Sequence, residues 1–143
     1  MPKTINIPYT LLDHTADLRV RVVGMDLSDL FRNAGLALFD LIVERDVAEA
    51  GDSIQLRVSG DDLPDLLINF LRELLYLWTG DEKVVTMIKV KHISDTTLSA
   101  RIAAERYAPN RHRIQHEIKA VTYHQIDVTP TKEGWQAVVV FDI

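Results

Sequence analysis

No cysteine occurs anywhere in the 143 residues. That excludes a disulfide framework, a thiolate nucleophile and the common cysteine-bearing zinc sites. Glycine is scarce, six residues scattered singly. Neither a G-x-G-x-x-G turn nor a Walker phosphate loop can be drawn from them, and no G-x-S-x-G elbow is present. Apolar runs long enough to cross a bilayer are missing, and MPKTINIPYT lacks the apolar segment of a signal peptide. The expectation is a cytoplasmic protein without a membrane contact. Positive charge is also in short supply: 16 Lys and Arg stand against 21 Asp and Glu, a net charge of −5 with histidine neutral. A chain that grips nucleic acid through its phosphates carries excess positive charge. Averaged over its length this one does not, although a local basic patch can hide within the average. If RNA is involved, a partner is expected to hold most of it.

What is present suits a soluble domain. Hydrophobic residues make up 47% and charged residues 26%, enough apolar material for a core. The length fits one domain over residues 1–143. No internal repeat, low-complexity tract or linker is apparent. Tyr9 to Leu12 suggests a short strand, and Leu18, Val20 and Val22 alternate as in a half-buried one. Asp26 is placed to cap a helix carrying Leu27, Leu30, Phe31, Ala34, Leu38 and Leu41 at helical spacing, running to about Ile42. ERDVAEAGDS reads as a loop. Ile54, Leu56 and Val58 give another strand. Asp61 or Asp62 caps a second helix, with Pro64 in its first turn and Gly80 as its stop.

The rest is strand-like. Val84 to Val90 is one candidate, and Leu98 to Ala104 another. Ile114 to Tyr123 reads as a third, with His116, Ile118, Ala120 and Thr122 on one face, and Ile126 to Val128 continues it past a bend. Lys132-Glu133-Gly134 is turn material before Trp135, Ala137, Val139 and Phe141 alternate along the last strand. The order predicts an α+β fold, a single domain with two main helices packed on a largely antiparallel sheet.

Chemistry concentrates near both ends. DHTAD puts Asp13, His14, Thr15 and Asp17 into five residues at the mouth of a strand, and the last strand ends on Asp142 and Ile143. Adjacent negative charges repel unless a cation or donor offsets them. Should Asp13 or Asp17 come close to the Asp142 side chain and the Ile143 carboxylate, three or more carboxylates would meet. Oxygen donors without cysteine suit Ca²⁺, Mg²⁺ or Mn²⁺ better than zinc. The plain alternative is that Asp13 caps a turn, Asp17 is a solvated strand-entry residue and Asp142 is merely exposed. His14 is either a hydrogen-bond donor behind a metal ligand or a packed side chain. His112 and His116 have the spacing of a helical zinc pair, but in a strand four residues span about 13 Å, too far for one ion. Lys119, taken here as a strand residue, is either a solvated stem or a phosphate-binding ammonium. Thr122, Tyr123 and His124 follow it with groups able to orient a metal's ligands. Trp78 and Trp135 read as core residues rather than stacking platforms.

Four blocks in order then resemble the archease family: LDHTAD near the start, DLPDLLINFLRELLYLW in the second helix, EIKAVTYH at 117–124, and VVVFDI at the end. The resemblance covers Tyr9 to Ile143. It implies a small α+β accessory protein for the RtcB-type RNA ligase, which joins tRNA halves and rejoins broken RNA using metal ions, GTP and a guanylylated histidine of its own. It implies promotion of that guanylylation and of repeated turnover rather than catalysis by this chain, with RNA contacted mainly through the ligase. It further implies a divalent cation, most often calcium with Mg²⁺ or Mn²⁺ as alternatives, on Asp17, Asp142 and the Ile143 carboxylate. Lys119 is the functional basic residue in this reading, and Asp13 and His14 lie behind the ligands. The rivals are a metal-dependent phosphohydrolase using the same acids and a chaperone-like binding module without metal chemistry.

Overall fold

The computed structural model describes residues 7–13, 17–45 and 51–143. Alternating apolar residues build its first sheet, in the order β1-β2-β9-β8: Tyr9–Asp13, Asp17–Gly24, Gly134–Asp142 and Ala120–Thr131. All its pairings are antiparallel. Leu18, Val20 and Val22 of β2 and Ala137, Val139 and Phe141 of β9 are fully buried, so one face of this sheet is core. A second antiparallel sheet has the order β4-β6-β5: Asp52–Ser59, Thr97–Arg106 and Lys83–Ile93. A two-stranded ribbon joins β3, Val43–Arg45, to β7, His112–Ile114.

Two helices supply the other half of the core. α1, Leu27–Ile42, packs against β2 and β5, and α2, Leu63–Asp81, packs against β8 and β5. The rings of Phe31 and Phe70 meet at 6.0 Å where the helices touch. The helices thus cover one face of each large sheet, and the opposite faces are turned away from the core. The expected α+β fold with two helices on antiparallel sheets is the observed one.

Both helices start from the same device. In Gly24-Met25-Asp26-Leu27-Ser28-Asp29 and Gly60-Asp61-Asp62-Leu63-Pro64-Asp65 the first cap carboxylate, Asp26 or Asp62, accepts the N–H of Asp29 or Asp65 at 2.8 and 2.9 Å. In return Asp29 and Asp65 accept the N–H of Met25 and Asp61, both at 2.8 Å. This is the reciprocal logic of a capping box, built from aspartates. Asn33 and Asn69, four residues further on, donate to the strand carbonyls of Val23 and Ser59, both at 2.9 Å. The chain therefore repeats a strand–turn–helix unit as G-x-D-L-x-D-L-x-x-N, which overturns the expectation of no internal repeat. Its short identity is interrupted by unlike residues, such as Met25 against Asp61 and Arg32 against Ile68.

Three other expectations are corrected. ERDVAEAGDS is not all loop: Glu44 and Arg45 lie in β3 and Asp52 opens β4, while residues 46–50 lie outside the described residues. β3 is three residues long, too short to show a period. α2 runs past Gly80 to Asp81, and Glu82 closes it in the left-handed region at φ 53°, its N–H donating to the Trp78 carbonyl. The predicted strand from Ile114 to Tyr123 is two strands separated by residues 115–119, where Gln115 N–H donates to the Ile42 carbonyl as the chain crosses between sheets. Ile118 alternates with its neighbours because it plugs the core, not because it is in a strand.

Candidate functional site

β2 and β9 run side by side in a register that makes Asp17 and Asp142 direct cross-strand partners. Asp142 is also the partner of Ala120, the first residue of β8. One step inward, Leu18, Phe141 and Val121 form a row that is entirely buried. Strand side chains alternate between faces, so Asp17, Asp142 and Ala120 share the outward face at one end of the sheet. Directly opposed residues have Cβ atoms about 4.5–5.5 Å apart, close enough for two carboxylates to reach one cation.

Lys119 precedes β8 rather than lying inside it, which corrects the strand placement. Its N–H donates to the Asp142 carbonyl at 2.7 Å, so the lysine is fastened next to the acid pair. Its ammonium is exposed and makes no hydrogen bond or ion pair among the described residues, and the same holds for the Asp142 carboxylate. Ile143 is half-buried and packs against the core, which holds the end of the chain in place. His14 and the side chain of Asp13 lie outside the described residues; the Asp13 backbone pairs with Arg19.

The donors that the register brings together at this strand end, the Asp17 and Asp142 carboxylates, suit a hard cation. No cluster of three or more His, Asp or Glu side chains forms among the described residues. The archease resemblance adds the Ile143 carboxylate to these two acids, and oxygen-ligated Ca²⁺ and Mg²⁺ commonly complete their shells with water.

Two arginines belong to this region and are missed by sequence reasoning. Arg19 shares the outward face one pair along from Asp17; it is half-buried, and its Nε is buried without a hydrogen-bond partner among the described residues. Arg72 of α2 donates from Nε and Nη2 to the Val121 carbonyl at 3.2 and 3.1 Å, and its guanidinium lies 4.8 Å from the centre of the Tyr123 ring. Together with Lys119 and Ala120 it lines a surface cavity of about 250 Å³. The Tyr123 hydroxyl donates to Asp65 Oδ1 at 2.5 Å, which ties β8 to the start of α2. That hydrogen bond, followed by the Asp61 N–H, holds the Asp65 carboxyl below its ordinary value and is the first cause raising the Tyr123 phenol. Tyr123 thus braces a helix instead of orienting metal ligands, and the Thr122 hydroxyl accepts the His124 N–H at 3.2 Å. No pattern in the sequence signals a contact between residues 49 or 58 positions apart.

His112 is likewise structural. Its Nδ1 accepts the Ala108 N–H at 2.8 Å, leaving Nε2 to donate to buried Glu105 at 2.9 Å. Glu105 also receives Arg111 at 2.8 Å, and the Tyr107 ring stacks on the imidazole. With both ring nitrogens engaged, His112 takes no part in a zinc pair. Trp78 packs edge-on against Tyr107 and Trp135 is half-buried beside the core, as expected of both tryptophans.

Residues 9–143 match the sequence profile of the Archease protein family. The chain belongs to the archease family. The protein archease of Methanosarcina acetivorans is 37% identical over 139 residues, spanning 94% of this chain and 95% of that protein. That of Pyrococcus furiosus is 37% identical over 135 residues, 92% and 95% of the two chains. The solution structure of Methanobacterium thermoautotrophicum protein 1598 aligns at a TM-score of 0.77 and 25% identity, covering 96% of this chain and all of that one (100%). A crystal structure of an archease from Thermotoga maritima, described as a possible chaperone, shares the fold at a TM-score of 0.60, 19% identity and 99% coverage of each chain. All four blocks that carried the archease resemblance fall within the matched residues.

Proposed function

We propose that this archease-family chain is an accessory activator of an RtcB-type RNA ligase and is not itself the catalyst. A divalent cation on Asp17, Asp142 and the Ile143 carboxylate would sit at an exposed sheet end with positions open to a partner. A cation there can bridge to phosphate oxygens or metal ligands in the ligase and stabilise charge on a transferring phosphoryl group. Lys119, exposed and fastened by its backbone to Asp142, adds a second positive charge for the same phosphates. The observation that carries the reading is the cross-strand pairing of Asp17 with Asp142, with Lys119 bonded to the same residue's carbonyl. Facing carboxylates repel each other, and a cation shared between them offsets that repulsion. No helix among the described residues is long and apolar enough to cross a membrane.

The test is RNA joining by the same organism's RtcB-type ligase with RNA in large excess. This protein is expected to convert a single round into many, and Asp142→Ala and Lys119→Ala to lose that effect. Unchanged turnover with the native chain would remove the activator reading. The description of the Thermotoga maritima structure as a possible chaperone favours a second reading, binding to a partner without metal chemistry. In that case the native chain and Asp142→Ala would activate equally.

A further inference from the structure

The sheet β4-β6-β5 buries one face and exposes the other. Across the exposed face the register sets Gln55, Arg101 and Lys89 in one row and Arg57, Ser99 and His92 in the next. Lys91 lies at the irregularity between them. Arg57, Lys89, Lys91 and Arg101 are all exposed. Residues 53–59, 86–92 and 97–103 contain these four cations and no Asp or Glu, in a chain where acids outnumber bases 21 to 16. None of the four is ion-paired among the described residues. Lys89, and then Arg101, hold the Lys91 ammonium below its ordinary pKa, so these charges are close enough to repel.

Such a face costs electrostatic energy that an anionic partner relieves. Its other side chains suit a nucleic acid more than an acidic protein. Ser53, Gln55, Ser59 and Thr97 offer small donors for phosphate and sugar oxygens beside the cations. His92 and the half-exposed Met87 offer a ring and a soft apolar surface to unstacked bases. A cleft of about 450 Å³ lined by Arg57, Ser59, His92, Thr97 and Ser99 opens at one end.

We propose that the exposed face of β4-β6-β5 binds the phosphate backbone of single-stranded RNA, without base-sequence preference. The choice of RNA over DNA rests on the ligase reading above; the binding itself does not. This face belongs to a different sheet from Asp17 and Asp142, so RNA held there does not cover the acid pair. The chain then carries its own RNA contact, beyond what its net charge suggests.

The experiment uses the protein alone, so failure of ligase activation and failure of RNA binding are separate results. A fluorescein-labelled single-stranded RNA of about 20 nucleotides is titrated by fluorescence anisotropy at about 50 and 200 mM salt. With about four phosphates neutralised at about 0.7 per phosphate, affinity should fall by about fifty-fold between those salts. The pair Lys89→Glu with Arg101→Glu should weaken binding at low salt at least ten-fold. Lys132→Glu, an exposed lysine on the β8–β9 turn, should change it less than two-fold. Thermal melts check that the strands stay folded, and Arg57→Gln with Lys91→Gln is a second, milder pair expected to weaken binding several-fold. Three results would overturn the proposal. They are no RNA binding at low salt, equal binding by the Lys89 and Arg101 variant, and polyglutamate bound as tightly as RNA, which would assign the face to an acidic protein.

Discussion

Tyr123 shows how one side chain carries a long-range tie. Its hydroxyl reaches Asp65 in the first turn of α2 while its ring sits under Arg72 of the same helix. Asp65 thereby has a folded pKa below its ordinary value. A carboxyl depressed on folding stabilises the native state above its unfolded pKa, and that contribution is lost as pH falls through the folded value. In Tyr123→Phe the Asp65 carboxyl should titrate nearer the ordinary carboxylate value, read by carbon chemical shifts against pH. The melting-temperature gap between the native chain and this variant should be present at neutral pH and close in acid. A gap that persists in acid would mean that the hydroxyl acts through something other than Asp65.

At the scale of elements, the repeated strand–turn–helix unit dictates where glycine is required. A Cβ on Gly60 would lie 2.6 Å from the Leu66 backbone nitrogen, and one on Gly24 2.4 Å from that of Leu30. The helix start packs directly on the turn, and no side chain can move aside. Gly80 is different: a Cβ there meets only the ring of exposed Tyr76 at 3.2 Å, inside a helix where alanine is preferred. Gly60→Ala should cost about 2 kcal/mol or more in denaturant unfolding, while Gly80→Ala should be neutral or stabilising by up to about 1 kcal/mol. Equal effects at the two sites would contradict the close approach. The helices themselves were legible, because apolar spacing and aspartate caps are local. The break at 115–119 was not, because Ile118 is buried by a partner surface that only the folded chain supplies.

For the whole molecule, the outward faces of the two large sheets carry different charge patterns. One sheet ends on facing carboxylates, with Lys119 beside them and Arg19 and Arg21 further along the same face; the other exposes four cations that are not ion-paired among the described residues. If Asp17 and Asp142 share a cation, Ca²⁺ at about 100 times its Kd should stabilise the native chain by about 2.7 kcal/mol. That corresponds to a rise of roughly 5–10 °C in Tm for a chain of this size, and chelation should reverse it. Asp142→Asn should abolish the rise while leaving the metal-free protein no less stable, since it removes one of two opposed charges. A native chain that melts at one temperature with Ca²⁺, Mg²⁺, Mn²⁺ or chelator would argue against the cation.

The sequence by itself determined the elements and their class: period-two runs for β2, β4, β6 and β9, 3.6-residue spacing and caps for α1 and α2, and the acids at both ends. Those features depend on neighbours a few residues apart, whose physics is local. It also carried the four blocks of the archease family. Tertiary structure alone decided that Asp17 faces Asp142 across more than a hundred residues, that Arg72 and Tyr123 brace β8 to α2, and that His112 is spent on Glu105. It alone collected Arg57, Lys89, Lys91 and Arg101 on one face of an acidic chain. Register between distant strands is set by which faces the whole core must bury, and a one-residue slip of a strand would turn that strand's side chains to the opposite side.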